Sequence, residues 1–245
     1  MKQSLFEIKE NRALTSNVYK MTIVGDTSDI TAPGQFVNIK LDGLFLRRPI
    51  SVCDCTDGEL TIIYKVVGKG TEQMSKMVDG DVLDVLSGLG NGYDTDTSGD
   101  RPLLLGGGVG VPPMYMLCKK LISEGKQVSV ILGFNTRDEV FYEDEFKAIG
   151  ASVTVTTVDG SYGTRGFVTD AMKNMDYTYF YTCGPEPMLR AVYSASVTSG
   201  QFSFEERMGC GFGACMGCSC KTVTGYKRIC KDGPVLKKEE ILWEK

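Results

Sequence analysis

Five of the nine cysteines in this 245-residue chain fall between Cys210 and Cys230. Thiolates are soft ligands, and the spacing Cys210-x4-Cys215-x2-Cys218, with Cys230 twelve positions further on, is the plant-type spacing for a [2Fe–2S] cluster. Gly211, Gly213 and Gly217 let the backbone wrap closely around such a group and leave amides free to reach its sulfurs. A structural zinc site is the competing chemistry, because Cys215-x2-Cys218 is one zinc knuckle, but no second pair of that spacing follows. Disulfides would need an oxidising compartment. Cys220 could stand in for Cys218, although the x2 spacing fits better, and it is read as a buried bystander. The chain has no histidine, so soft ligation falls to cysteine alone and imidazole acid–base catalysis is excluded.

Four other stretches carry possible chemistry. In Arg47-Arg48-Pro49-Ile50-Ser51 the proline places the segment at a strand edge where a ligand can approach, an arginine can fork onto a pyrophosphate, and the serine hydroxyl can bond a ring nitrogen. Gly68-Lys69-Gly70-Thr71 opens a short helix, expected over about 71–78, with free amide donors. Gly106-Gly107-Gly108-Val109-Gly110 follows a strand and precedes a helix, as a phosphate cradle does. It departs from the Rossmann fingerprint at Val111, so a tight turn with close helix packing is the alternative. Cys183-Gly184-Pro185 ends another strand, where the thiol is either a contact for a nicotinamide ring or a core residue.

The elements that must position these residues change in texture along the chain. Residues 1–98 form short β-rich runs broken by Asp57-Gly58, Asp79-Gly80 and Pro33-Gly34, the pattern of a small antiparallel barrel. A polar stretch, Asp94 to Asp100, reads as a linker. Residues 99–200 then alternate strand and helix, which implies a parallel sheet with helices on both faces and ligands beyond the strand C-termini. Residues 201–245 form the small cysteine-bearing segment. The net charge of −4 argues against a general nucleic-acid binder, and no apolar run is long enough to span a membrane. The first residues lack an apolar signal core, so a cytoplasmic location is expected.

The order of these stretches is more specific than any one of them. Arg-Pro-Ile-Ser, Gly-Thr at a helix start, Gly-Gly-Gly-x-Gly-x-x-Pro-Met and Cys-Gly-Pro-x-x-Met together resemble the ferredoxin–NADP reductase superfamily over residues 1 to 200. The resemblance implies an FAD-binding barrel followed by a nicotinamide-dinucleotide domain. It assigns Arg48, Pro49, Ile50 and Ser51, then Ile63, Tyr64 and Lys65, then Gly70 and Thr71, to the flavin. Gly106, Gly107, Gly108 and Gly110, with Cys183, Gly184 and Pro185, go to the dinucleotide.

The segment Glu206-Arg-Met-Gly-Cys210-Gly-x-Gly-x-Cys215-x-x-Cys218 is similar to the electron-transfer subunits of NAD-dependent, type B dihydroorotate dehydrogenases. That resemblance implies that Cys210, Cys215, Cys218 and Cys230 hold the cluster. It also implies a separate FMN-containing catalytic partner, in a heterotetramer of two of each chain, whose electrons pass through the cluster and FAD to NAD. The small subunits of NADH-dependent ferredoxin–NADP reductases share the pattern but tend to place an aspartate at the first ligand position; sulfhydrogenase-type reductase subunits are a further relative. Nothing in the chain looks like a base for dihydroorotate. Arg137 would accept a 2′-phosphate and Asp138 or Glu139 would repel one; the resemblance favours NAD.

Overall fold

The computed structural model describes residues 1–243. Six antiparallel strands close into a barrel: β1 (Lys2–Ala13), β2 (Val18–Val24), β3 (Phe36–Lys40), β4 (Arg48–Thr56), β5 (Glu59–Lys65) and β6 (Val82–Leu89), in the order β1-β2-β5-β4-β3-β6. Period-two patterning explains the closure. On β6 every second residue, Leu83, Val85, Ser87 and Leu89, is buried, and Leu83 and Val85 meet Phe6, Ile8, Met21, Ile23, Ile39 and Ile62 inside the barrel. One short helix, α1 (Lys69–Ser75), follows β5. It starts two residues earlier than its composition predicts because the Thr71 hydroxyl folds back on the preceding turn, accepting from Val67 N–H (3.0 Å) and donating to Gly68 O (3.1 Å).

The second lobe alternates β7 (Pro102–Gly107), α2 (Pro112–Ser123), β8 (Ser129–Phe134), α3 (Glu143–Ala148), β9 (Ser152–Thr157), β10 (Thr164–Arg165), α4 (Val168–Met172), β11 (Tyr179–Cys183), α5 (Glu186–Ala195) and β12 (Gly200–Ser203). These strands are parallel, in the order β10-β9-β8-β7-β11-β12. The central strand β7 is buried along its whole length. Leu104 packs with Met114, Leu117 and Leu121 of α2, and Leu103 and Leu105 pack with Val168, Leu189 and Val192 of α4 and α5.

The last segment adds a hairpin, β13 (Ser219–Thr222) and β14 (Gly225–Arg228), and a short strand, β15 (Val235–Lys237), that pairs antiparallel to β12 and so joins the sheet of the second lobe. The stretch 94–100 is packed rather than loose: Tyr181 and Gln201 side chains both donate to Asp94 O (2.9 and 2.7 Å), and Ser98 is fully buried. Barrel and second lobe share one core, in which Val18, Cys53, Ile63 and Tyr93 pack with α2 residues. Lys119 of α2 also bonds both oxygens of Asp54 on β4 at 2.8 Å. Among the described residues no helix is long and apolar enough to cross a membrane.

Candidate functional site

Strand register builds the first part of the site. Arg48 to Ser51 pair with β3, yet β4 meets β5 only from Val52 onward, so the stretch has one open flank inside an otherwise closed barrel. The proline's missing N–H is harmless there. Beside that flank lies a cavity of about 430 Å³, within the usual range for small-molecule sites. Arg48, Pro49, Ile50, Ser51, Ile63, Tyr64, Lys65, Gly70 and Thr71 all line it.

The two arginines part company. Arg47 is tied to Asp84, through Oδ1 and the main-chain oxygen at 3.0 Å each. Arg48 reaches over Gly70, where any Cβ would displace its guanidinium. Tyr64 is anchored by its hydroxyl donating to Asn11 Oδ1 (3.0 Å), and burial pushes its phenol well above the usual range. Thr71 Oγ1 is committed to the turn, which leaves the amides of residues 69–71, ahead of the first intrahelical bond from Glu72 N–H to Gly68 O, to face an anion.

The opposite wall comes from the other lobes: Val109 after β7, Ser203 to Glu206 at the end of β12, Met208 and Pro234. Val109, Glu206 and Met208 lie in stretches that the sequence singles out for other groups, the glycine-rich exit of β7 and the run before Cys210, and nothing in the sequence marks any of these residues as a wall of this cavity. The chain turns from β12 into the cysteine segment here, and only the folded topology brings it against the barrel. Glu205 is walled by protein but open to solvent through the cavity, and desolvation raises its carboxyl above the ordinary range.

The glycine-rich tip and the Cys183 tip sit side by side, with Cys183 paired to Gly106. A Cβ on Gly110 would strike the Cys183 carbonyl, one on Gly106 would lie 2.8 Å from Val111 Cα, and one on Gly107 would meet Met188 and Pro185. Three of the four glycines therefore serve close backbone packing. Gly108, with φ +53 and open space around it, has the left-handed conformation that favours glycine. Cys183 is 2% exposed, and burial pushes its thiol far up. Gly184 and Pro185 line a separate cleft of about 250 Å³ shared with Cys220 and Trp243. At the tip of β8, Glu139 accepts from Asn135 N–H and Nδ2 (3.1 and 2.9 Å), whereas Arg137 lies over the Tyr162 ring.

The cysteine segment presents two pairs. Cys210 and Cys215 are linked through reciprocal amide–sulfur bonds, Cys215 N–H to Cys210 Sγ at 3.4 Å and Cys210 N–H to Cys215 Sγ at 3.5 Å. Cys218 and Cys230 are linked by Cys230 N–H to Cys218 Sγ at 3.4 Å. The first pair is at the surface and the second is 2% exposed. Among the described residues no three potential ligands converge into a preformed metal site, so the two pairs would have to close up around any metal group. Two thiol pairs, with the amides of Ala214 and Gly217 also donating to sulfur (3.2 and 3.5 Å), suit a two-iron group. Burial, the largest single influence, raises the Cys210 thiol, but the amides of Cys215, Phe212 and Ala214 and the Cys215 thiol outweigh it and bring it down to about 6. Burial and the Cys218 thiol push Cys230 up to about 12. Cys220 sits half-buried on β13 opposite Lys227. The barrel reaches this loop through Asn38 of β3, whose Nδ2 donates to Cys210 O (3.3 Å) and whose Oδ1 is buried without a partner.

Residues 205–242 match the family model of the iron–sulfur cluster binding domain of dihydroorotate dehydrogenase B, and residues 104–194 match that of the oxidoreductase NAD-binding domain. The chain is 47% identical over 244 residues to the dihydroorotate dehydrogenase B (NAD(+)) electron transfer subunit of Fusobacterium nucleatum subsp. nucleatum, covering 93% of this chain and 94% of that one. To the subunit of the same name from Geobacillus sp. (strain WCH70) it is 42% identical, covering 99% of both. Among solved structures, that of an NADH-dependent reduced ferredoxin-NADP oxidoreductase superposes with a TM-score of 0.89 at 32% identity, covering 97% of this chain and 90% of that one. A ferredoxin NADP+ reductase from Neisseria gonorrhoeae, with bound FAD and NADP, shares the fold (TM-score 0.70, 18% identity, 80% of this chain and 90% of that one).

Proposed function

The chain belongs to the family of dihydroorotate dehydrogenase B (NAD(+)) electron transfer subunits, and from that premise we propose that it carries electrons from a dihydroorotate-oxidising partner to NAD+ in pyrimidine biosynthesis, using a [2Fe–2S] cluster and FAD. The cluster supplies one-electron relay, and the flavin supplies the exchange between single electrons and the hydride of the nicotinamide. One observation carries the reading. Met208, two residues before Cys210, and Pro234, four after Cys230, are both walls of the cavity that the barrel residues line. A cysteine centre and a flavin site therefore share a boundary.

The residues have distinct tasks. Arg48 and the amides of residues 69–71 would neutralise and hold a pyrophosphate, and the Ser51 hydroxyl would bond the ring system. Gly108, with the neighbouring Cys183 tip, would receive the dinucleotide beyond the C-terminal ends of the sheet. The Glu139 carboxylate, fixed by Asn135, would favour the 2′-hydroxyl of NAD over a 2′-phosphate. Cys210, Cys215, Cys218 and Cys230 would hold the cluster, with the first pair toward the surface. Residues 1–98, 99–200 and 201–245 are the corresponding functional units. The partner would be the FMN-containing catalytic subunit, two of each chain assembling in the cytoplasm. The dihydroorotate chemistry itself belongs to that partner.

Anaerobic purification with flavin, iron and sulfide analysis tests the reading. One FAD and two irons per chain, with NADH-driven reduction of a dye, are expected. A colourless protein containing zinc and no iron would overturn it.

A further inference from the structure

Of the ion pairs within the cysteine segment, Lys227–Glu240 and Arg228–Asp232, the second reaches into the loop of the outer cysteines. Arg228, the last residue of β14, donates Nη1–H to Gly213 O at 3.0 Å, in the middle of the loop between Cys210 and Cys215. Its other face is held by Asp232, with Nε to Oδ2 at 2.9 Å, Nη2 to Oδ1 at 3.2 Å and the Arg228 amide to Oδ2 at 2.9 Å. The guanidinium is thus interposed between a carboxylate and the ligand loop, and it is only 25% exposed. A surface Arg–Asp pair four residues apart has little value for stability. This one also clamps the loop of the outer cysteines to the strand that leads into Cys230. Lys231 lies nearby but is exposed, so solvent screens it more strongly.

We propose that Arg228 is a positioning residue that sets the reduction potential of the cluster, with Asp232 as its counterweight; this rests on the cysteine centre being the [2Fe–2S] site argued above. Reduction adds one electron and no compensating proton at the loop. A fixed cation beside the ligands therefore favours the reduced form and raises the potential, while the carboxylate behind it opposes that effect. Because the guanidinium stands nearer the loop, removing each partner must move the potential in opposite directions. A purely structural clamp would not do this, since losing either half would loosen the same loop.

The test is redox titration of the complex with its catalytic partner, following the EPR signal of the reduced cluster, in the parent and in Arg228→Gln, Asp232→Asn and Arg228→Lys, with iron content measured on each. Arg228→Gln should lower the potential, on the order of a tenfold change in the reduced-to-oxidised ratio at fixed potential, or about 59 mV for a one-electron couple. Asp232→Asn should raise it, and Arg228→Lys should remain close to the parent. Shifts of the same sign, no shift in either variant, or equal loss of iron from all three variants would overturn the proposal. A parent complex without the EPR signal would instead overturn the reading of the cysteines as a cluster site.

Discussion

The barrel and the cysteine segment both present site residues, but they hold them in place by different means. In the barrel, Arg48 to Ser51, paired on one side with β3, and Ile63 to Lys65 on β5 are backed by a core in which Phe6, Ile8, Met21, Ile23, Ile39 and Ile62 are fully buried. Their positions are fixed before any ligand arrives. The cysteine segment has a two-stranded hairpin and a loop in which Phe212, Cys215 and Met216 are exposed. Its inner half packs on the second lobe through Ile229, Cys230, Leu236 and Ile241, whereas the outer loop is held by amide–sulfur bonds, by Asn38 from the barrel and by Arg228. A metal group bound by the four cysteines would tie this outer loop to the buried pair and so add stability where the loop has little core of its own. The barrel is a preformed receptor, and the cysteine segment is completed by what it binds.

That difference predicts separable failures. Cys230→Ser should have the largest effect: iron analysis should show loss of the cluster and dihydroorotate-dependent NAD+ reduction should stop, while flavin content and NADH–dye turnover persist. Concurrent loss of flavin would mean the two regions are not independent. In the barrel, Ile62→Ala should cost about 2–5 kcal/mol in thermal or denaturant unfolding, with flavin released as the barrel loosens. Arg48→Gln should weaken FAD by roughly 1.5–3 kcal/mol in a flavin-binding titration, the range for a hydrogen bond to a charged group. Arg47→Gln, which breaks the Asp84 bridge instead, should change stability more than flavin affinity. Cys220→Ser should do least and keep a normal cluster absorption spectrum; loss of that spectrum would mean that Cys220 rather than Cys218 is the third ligand.

Sequence reading went furthest where one local pattern served one local structure. The period-two runs of β2 and β5, the glycine-rich exits of β7 and β11 and the apolar face of α2 were all legible, because each is set by neighbours a few residues away. Residue type alone does not distinguish Arg47 from Arg48; the family resemblance assigns Arg48, and only the fold shows Asp84 beside Arg47. Sequence reading missed α4 and β15, of five and three residues, which are too short to carry a period and exist because a sheet or helix face is there to receive them. Composition makes Asp94 to Asp100 look like a linker, whereas Tyr181 and Gln201 both bind the Asp94 carbonyl from the sheet. That Ser203 to Glu206, Met208 and Pro234 wall the cavity is hidden for the same reason: it depends on contacts more than a hundred residues away in sequence.

The central claim is that this chain is an electron relay completed by a partner, and one assay addresses it most directly. NADH formation from dihydroorotate and NAD+ is measured with the purified chain alone, with the catalytic subunit alone, and with both together. Turnover is expected only from the combination, together with NADH-driven dye reduction by the chain alone. Oxidation of dihydroorotate by the chain alone would contradict it.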